Sequence, residues 1–422
     1  MNGDACDAQL KCRAVASALD PDPPLDSPSW QVIAFPLHPP LMPHSRLHKL
    51  HAAGQSVWLD YIDRTILSDG ALTRQIADDA LTGMTSNPTI FEKALATGTA
   101  YDAQLGSAPE GLTPWQLFEL IESDDVRTAC DQFRSVYEQS GGTDGYVSIE
   151  VSPNVANDAD ATVEEAHRLW KLVNRPNVMI KVPGTDEGSK ALRRLIADGL
   201  NVNVTLLFSV EAYGRVAEAY LAGLEDRVKT GGDLHRVGSV ASFFISRVDS
   251  EVDARLDAMI AEADDASRSR LGALKGKAAI ANAKLAYALF QRQFAGERWD
   301  KLRARAAHVQ RPLWASTSTK NPSYRDVMYV EQLVGPDTVN TMPPNVITAF
   351  QDHGDVVRTV DKGVDEAREL LQALASEGIS MSSVTDKLLI EGLASFQKSF
   401  DTLLSGLSNK LRSLGRETVA AV

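Results

Sequence analysis

The chain has 422 residues, of which 44% are hydrophobic and 23% are charged, and its formal net charge is −13. This is the composition of an ordinary globular protein, and the negative charge argues against non-specific binding to nucleic acids or to anionic membranes. Its three cysteines, Cys6, Cys12 and Cys130, form neither a disulfide framework nor a CxxC metal motif, so we expect a reducing, cytoplasmic environment. No apolar stretch reaches the length of a membrane span.

Residues 1–43 differ from the rest of the chain in being rich in proline. This composition predicts a disordered N-terminal extension, and the segment lacks the basic start and apolar core of a secretory signal. Met42 lies just before a predicted helix, and we hypothesise that translation begins there. His44, His48 and His51 have helical spacing but no acidic or thiol neighbour, so we predict no metal site from them.

Eight short apolar runs follow, most of them separated by amphipathic helical segments. The runs span residues 57–60, 83–87, 146–151, 178–183, 202–208, 237–244, 312–316 and 338–343. Alternating strands and helices predict parallel βαβ units, and eight strands close a (β/α)₈ TIM barrel. The alternative is an open doubly wound sheet, but Asp60-Tyr61-Ile62-Asp63 stands where its glycine-rich turn is expected.

We therefore predict one barrel domain over residues 44–415, with additional helices, and a C-terminal tail over residues 416–422. The connection 256–305 is rich in Ala, Lys, Arg and Leu and is expected to hold at least one long helix. Residues 384–414 carry apolar side chains at helical spacing, which predicts a terminal helix packed on the barrel.

The fourth apolar run, Val178-Met179-Ile180-Lys181-Val182-Pro183, carries a lysine in its centre. Because a strand alternates its faces, Lys181 lies opposite Ile180 and Val182 and cannot easily reach water. From this run alone, a structural lysine paired with a carboxylate and a functional lysine both remain open.

Polar residues of other strands share the face of Lys181 near the carboxyl ends. The residues of this face and of the remaining strand ends are Asp60, Thr85, Asn87, Glu150, Asn203, Thr205, Ser242, Phe244 and Ser316. If the branched residues pack against the helices, the polar set points into the barrel mouth, where such barrels carry their active sites. Burying so many polar groups without a function is costly, which favours a functional lysine.

The residue types narrow the chemistry. No histidine stands at a strand end, so a Ser-His-Asp hydrolase is poorly supported. Asp60 and Glu150 could bind a metal, but the lysine between them competes with a cation, and we predict no metal. A desolvated amine among carboxylates and amides is the apparatus of Schiff-base catalysis.

The order and spacing of these motifs resemble the transaldolase family, in its longer bacterial form. The motifs are Val57-Trp58-Leu59-Asp60, Thr85-Ser86-Asn87-Pro88, Val147-Ser148-Ile149-Glu150-Val151, Ile180-Lys181-Val182-Pro183, Asn203-Val204-Thr205-Leu206-Leu207-Phe208-Ser209, Ala241-Ser242-Phe243-Phe244-Ile245-Ser246-Arg247, Trp314-Ala315-Ser316-Thr317 and Asn340-Thr341-Met342-Pro343. The resemblance runs from about Val57 to the C-terminal helix. It implies a transferase of the pentose phosphate pathway that needs no cofactor and acts on sugar phosphates.

The resemblance also implies a role for each residue. Lys181 would form the Schiff base with a ketose phosphate, Glu150 would shuttle protons through a water held by Thr205, and Asp60 would deprotonate the C4 hydroxyl. The implied substrate-binding residues are Asn87, Thr85, Asn203, Ser242, Phe244, Arg247, Ser316 and Lys320. Many family members place an arginine where this chain has Ser318, so the phosphate role passes to Lys320, whose alternative is a solvent-exposed loop lysine.

Two rival functions remain at this stage. One is a fructose 6-phosphate aldolase that releases free dihydroxyacetone, and the other is a non-catalytic barrel that binds sugar phosphates. The Lys–Asp–Glu set argues against the second rival, because binding alone needs no nucleophilic amine. We expect no nucleic-acid or membrane partner, and either a monomer or a homodimer.

Overall fold

A closed barrel of eight parallel strands forms the centre of the computed structural model, which describes residues 45–416. The strands are β1 Gln55–Asp60, β2 Leu81–Thr85, β3 Val147–Glu150, β4 Val178–Pro183, β5 Val202–Leu207, β6 Ser239–Phe244, β7 Arg311–Ala315 and β8 Thr338–Met342. Each strand pairs with the next, and β8 returns to pair with β1. The predicted TIM barrel is therefore confirmed. The predicted N-terminal extension and residues 417–422 lie outside the described residues.

The helices surround this barrel and cover its mouth. They are α1 Arg46–Ala52, α2 Arg64–Ser68, α3 Ala71–Asp78, α4 Pro88–Thr97, α5 Asp102–Ser107, α6 Pro114–Gln132, α7 Arg134–Gln139, α8 Ala159–Val173, α9 Asp186–Asp198, α10 Val210–Lys229, α11 Ser246–Glu262, α12 Asp265–Gly272, α13 Ala278–Gln293, α14 Glu297–Arg303, α15 Met328–Glu331, α16 Pro344–His353, α17 Val364–Ser376 and α18 Met381–Ser413, with a 3₁₀ turn at Pro153–Val155. Among them, no helix is both long and apolar enough to cross a membrane.

The strands separate two apolar groups, as their alternation predicts. Residues such as Val57, Ile149 and Ile180 belong to the large core between the strands and the helices. Trp58 and Met179, the sequence neighbours of Val57 and Ile180, belong to a smaller buried cluster inside the barrel. The alternation therefore directs Asp60 and Lys181, two residues further along β1 and β4, toward the barrel interior.

One strand breaks this regular alternation. Leu206 in β5 has a φ of 60°, and the register with β6 shifts between Val204 and Leu207. A positive φ is costly for a residue with a branched side chain. Leu206 belongs to the large core between the strands and the helices, and it also lines the cavity at the barrel mouth. The bulge thus brings a residue of the helix-packing face to the cavity as well.

The amino-terminal end of the barrel is closed by a buried polar network around Asp144. Trp58 Nε1 donates to Asp144 Oδ1 at 2.8 Å, and Ser56 donates to the same carboxylate. Arg311 Nη2 lies 3.5 Å from Asp144 Oδ1, and its Nη1 donates to Ser56 Oγ at 2.7 Å. The Trp58 ring leaves no room for a side chain at Gly83, where a Cβ would lie 2.5 Å from Nε1.

The predicted C-terminal helix is present as α18, and it reaches over the barrel mouth. Gly392, near its middle, packs against Leu206 and Phe208, where a Cβ would approach Leu206 Cδ2 to 3.2 Å. Thr89 of α4 donates to Ser399 Oγ at 2.9 Å, which ties the two helices together. The small residues of α18 thus allow the helix to lie close to the strand ends.

Candidate active site

A cavity of about 730 Å³ opens at the carboxyl ends of the strands and reaches Lys181. Eleven of the twelve residues predicted from the sequence line it. They are Asp60, Thr85, Asn87, Glu150, Lys181, Thr205, Ser242, Phe244, Arg247, Ser316 and Lys320. Convergence of polar side chains from separate strands at one end of a barrel is typical of an active site.

Lys181 lies beside a carboxylate because of the strand register. Glu150 of β3 pairs directly with Lys181 of β4, so both side chains point into the barrel at the same height. Lys181 Nζ donates to Glu150 Oε2 at 3.0 Å and to the carbonyl oxygen of Ser86 at 3.2 Å. Only 10% of the Lys181 side chain and 7% of the Glu150 side chain are exposed. The amine is therefore held in place and largely shielded from solvent.

Asp60 is the second carboxylate of the cavity. It pairs in register with Thr85, whose hydroxyl donates to Asp60 Oδ1 at 3.0 Å. The Thr85 hydroxyl also lies 2.7 Å from that of Thr341 on β8. Hydroxyls on β2 and β8, the two strands that flank β1, thus fix the Asp60 carboxylate at the end of β1.

Burial controls the protonation of both carboxylates. Desolvation raises the pKa of Glu150, and the charge and hydrogen bond of Lys181 oppose this rise. Desolvation likewise raises the pKa of Asp60, opposed by the charge of Lys181, the hydrogen bond from Thr85 and the charge of Lys320. Each carboxyl can therefore hold or release a proton closer to neutral pH than an exposed acid does.

The hydroxyl of Thr205 is the group best placed to hold a further polar atom. Thr205 of β5 pairs in register with Pro183 of β4, two residues beyond Lys181. Its Oγ1 is buried and has no hydrogen-bond partner among the described residues. An orphaned hydroxyl beside a cavity indicates that a ligand atom or a water completes the site.

A cationic corner lies at the ends of β6 and β7. The Arg247 guanidinium sits 5.2 Å from the centre of the Phe244 ring, and burial lowers the pKa of Arg247. Ser316 has a φ of 58°, and its hydroxyl lies 2.9 Å from that of Ser246. Lys320 is exposed at the cavity edge. A planar cation on an aromatic ring, flanked by hydroxyls, suits an anionic group such as phosphate.

The two predicted asparagines are placed differently. Asn87 lines the cavity, and its Oδ1 also caps α4 by accepting from Ile90 N at 3.2 Å. Asn203 is fully buried beneath the cavity and does not line it. Its amide donates to Ser148 Oγ at 3.0 Å and accepts from Ser242 Oγ at 2.7 Å. In this arrangement Asn203 orients its neighbouring side chains rather than facing the cavity.

Several lining residues escaped the sequence analysis. Thr341 of β8 supports Thr85, and Leu206 enters the cavity through the β5 bulge. Ser395, Phe396 and Ser399 reach the cavity from α18, which lies far away in the chain. Gly392, Ser395 and Ser399 share one face of α18. This stripe of small residues was the signal in the sequence that could have placed α18 beside the cavity.

The described residues contain no group of three or more His, Cys, Asp or Glu side chains that could hold a metal ion. The chemistry on offer is that of Lys181, a buried nucleophilic amine, with two carboxyls that can exchange protons. Lys181 and Arg247 line the same cavity, and an amine together with a guanidinium suits a compound that carries both a carbonyl and an anionic group.

Comparison with known proteins agrees with this geometry. The family model described as transaldolase/fructose-6-phosphate aldolase matches residues 57–407. Transaldolase 2 of Nostoc sp. PCC 7120 is 46% identical over 88% of this chain and 98% of its own length. The transaldolase of Thermobifida fusca is 48% identical over 87% of this chain and 98% of its own length. The transaldolase of Mycolicibacterium smegmatis is 47% identical over 86% of this chain and 97% of its own length.

Replacing Lys181 by Met removes the cation paired with Glu150 and leaves a buried carboxylate. We expect a loss of about 3 kcal/mol in the free energy of unfolding at about pH 8. The loss should shrink at about pH 5, because the raised pKa lets folded Glu150 take up a proton at a pH where the unfolded chain has released it. Denaturant unfolding of the wild type and of K181M at both pH values measures this loss in the free energy of unfolding. Relative to the double variant K181M/E150Q, which lacks this carboxyl, K181M should gain stability as the pH falls from about 8 to about 5. An equal loss for K181M at both values would contradict the prediction.

Proposed function

This chain belongs to the transaldolase/fructose-6-phosphate aldolase family, and from that premise we propose that Lys181 carries its transaldolase reaction through a Schiff base. The enzyme is a transferase that moves a dihydroxyacetone unit. The donors are sedoheptulose 7-phosphate or fructose 6-phosphate, and the acceptors are erythrose 4-phosphate or glyceraldehyde 3-phosphate. The observation that carries the proposal is the buried pair of Lys181 and Glu150, 3.0 Å apart, in a cavity that also contains Asp60.

In the first step, Lys181 passes a proton to Glu150, and its amine then attacks the C2 carbonyl of the ketose phosphate. The carbonyl oxygen gains a proton and gives a carbinolamine, and loss of water then leaves an iminium. Glu150 supplies and removes the protons of this dehydration, since its carboxyl lies beside the amine and its pKa is raised by burial. The orphaned Thr205 hydroxyl supports a water that relays these protons.

In the second step, Asp60 takes the proton of the C4 hydroxyl. The C3–C4 bond breaks, its electron pair moves toward the iminium, and an aldose phosphate leaves while a three-carbon enamine stays on Lys181. C3 of the enamine then attacks the acceptor aldehyde, and Asp60 returns the proton to the new hydroxyl. Water hydrolyses the resulting iminium by the reverse of the first step, which releases the ketose product and frees the Lys181 amine. The hydrogen bond from Thr85 orients Asp60 for both transfers.

The cationic corner binds the phosphate of donor and acceptor alike. Arg247 offers a planar fork to the phosphate oxygens, with Ser242, Ser316 and Lys320 around it. Thr85 and Asn87 hold the three-carbon unit, and Asn203 acts through Ser242. These small sugar phosphates and the absence of a disulfide framework in the sequence support a cytoplasmic enzyme.

Borohydride reduction in the presence of fructose 6-phosphate tests the nucleophile. We expect a three-carbon adduct on the peptide that contains Lys181, because reduction traps the enamine in its iminium form. Peptide mass analysis reads the result, and K181A is the control that should carry no adduct. An active enzyme with an unmodified Lys181 would overturn the mechanism.

Replacing Asp60 by Asn should separate the two steps. Schiff-base formation relies on Lys181 and Glu150 and should persist, while cleavage should slow by about 10²–10⁴-fold for lack of a general base. The same reductive trapping should then give a six-carbon adduct on Lys181. A three-carbon adduct formed by D60N at the wild-type rate would remove Asp60 from this role.

The fructose 6-phosphate aldolase alternative uses the same lysine and the same barrel. Incubation of the enzyme with fructose 6-phosphate, with and without erythrose 4-phosphate, distinguishes the two activities. We expect glyceraldehyde 3-phosphate to accumulate only with the acceptor, beyond one equivalent per active site. Formation at the same rate without the acceptor would show that the enzyme releases free dihydroxyacetone.

A further inference from the structure

The loop between β7 and α15, residues 316–327, carries part of the candidate active site. Ser316, Ser318 and Lys320 line the cavity from this loop. The Lys320 side chain is exposed, and its charge acts on Asp60, since it opposes the rise in the pKa of that carboxyl. A lysine has a long, flexible stem, so the place of its ammonium depends on how firmly the backbone beneath it is held.

The first residues of this loop are fixed to the neighbouring strand ends. Ser246 N donates to Ser316 O at 3.1 Å, and the hydroxyls of the same two residues lie 2.9 Å apart. Thr317 Oγ1 donates to Asn340 Oδ1 of β8 at 3.0 Å. These bonds hold the backbone before Lys320 and leave the chain after it to be held by other contacts.

Tyr324 fixes the loop on the other side of Lys320. A β-turn runs from Asn321 to Tyr324, since Tyr324 N donates to Asn321 O at 3.1 Å. Pro322 occupies the second position of this turn, where its fixed φ is favourable. The Tyr324 hydroxyl then donates to Asp253 Oδ2 of α11 at 2.5 Å. Because the turn begins directly after Lys320, the lysine lies between two fixed points of the backbone.

Asp253 and Gly276 hold the Tyr324 side chain in one place. The other oxygen of Asp253, Oδ1, accepts from Gly276 N at 3.0 Å, and only 7% of Asp253 is exposed. Gly276 has a φ of 68°, and a Cβ at this position would lie 2.6 Å from Tyr324 Cζ. A buried carboxylate is stable only when its oxygens accept hydrogen bonds. The Tyr324 hydroxyl therefore satisfies Asp253 and is fixed by it.

Helix α11, to which Tyr324 is bound, also carries Arg247 in its first turn. Asp249 lies one helical turn before Asp253, and its Oδ2 accepts from the Tyr329 hydroxyl of α15 at 2.9 Å. Two bonds between a tyrosine and an aspartate thus join α11 to the chain that follows Lys320. The supports of Arg247 and Lys320, the two cations of the cavity corner, are therefore connected.

From these contacts we propose that Tyr324 is a positioning residue for phosphate recognition, because its bond to Asp253 keeps Lys320 at the cavity together with Arg247. Tyr324 itself does not line the cavity. The inference rests on the phosphate role proposed above for Arg247 and Lys320. A side chain held in advance loses less freedom when it binds, so the fixed loop strengthens the contact of Lys320 with the phosphate.

Binding of glucitol 6-phosphate tests this proposal separately from the chemistry. This compound has the phosphate and the hydroxyl chain of fructose 6-phosphate but no carbonyl for Lys181 to attack. In calorimetric titrations of the full-length chain, Y324F should weaken its binding about threefold, because the loop loses one hydrogen bond. K320Q should weaken it about fivefold, because the phosphate loses a charged partner. The double variant Y324F/K320Q should bind no more weakly than K320Q, since Tyr324 acts through Lys320.

Tyr287 provides a matched control. It lines a separate cavity at the amino-terminal end of the barrel, and its hydroxyl donates to Pro336 O at 3.0 Å. Y287F removes one tyrosine hydroxyl and one hydrogen bond outside the loop, and it should bind glucitol 6-phosphate as the wild type does. Y324F should still give the three-carbon adduct on Lys181 at saturating fructose 6-phosphate, because the pair of Lys181 and Glu150 is unchanged.

Four results of the binding test would overturn the proposal. They are an equal affinity of Y324F and the wild type, an equal loss in Y287F and Y324F, an unchanged affinity of K320Q, and losses that multiply in Y324F/K320Q. Loss of the adduct in Y324F would also overturn it, since the damage would then extend to the whole site. Absence of the adduct in the wild type, in contrast, would refute the Schiff-base mechanism and would leave the binding test unaffected.

Discussion

The ion pair between Lys181 and Glu150 is the interaction on which the rest of the site depends. Two buried charges are tolerated only when they neutralise each other and are also hydrogen-bonded. Here the parallel register of β3 and β4 aligns the two residues, and the Ser86 carbonyl accepts a further hydrogen bond from the amine. The closed barrel makes this register rigid, since every strand is held by two neighbours. The amine is therefore positioned before any substrate arrives.

The inward faces of the strands change character along the barrel axis. At the carboxyl end they present Asp60, Glu150 and Lys181, in the middle they present Trp58 and Met179, and at the amino end Arg311 meets Asp144. The apolar middle layer isolates the charges at the two ends from each other. This division lets one end carry reactive groups while the other closes the barrel and leaves a separate cavity.

The irregular backbone of the barrel is found next to the cavity at its mouth. Leu206 and Ser316 both have positive φ, and both line that cavity. Strained residues persist where the surrounding structure holds them. At Leu206 that support comes from α18, because Gly392 lets the helix approach the bulge closely. The C-terminal helix is thus part of the site as well as of the packing around it.

The sequence by itself determined the eight strands, the face on which Lys181 lies and eleven of the residues that line the candidate active-site cavity. The strands and the face of Lys181 follow from local rules, since apolar periodicity marks a strand and alternation marks its faces. Arg247 and Lys320, in contrast, were identified through the resemblance to the transaldolase family. Tertiary structure alone decided the position of Asn203 beneath the cavity, the entry of Leu206 through a bulge and the arrival of Ser395 and Ser399 from α18. It also decided the cavity at the other end of the barrel, which segments far apart in the chain line together. Such features arise from contacts between segments far apart in the chain, and no periodicity within one segment records which distant surface it will meet.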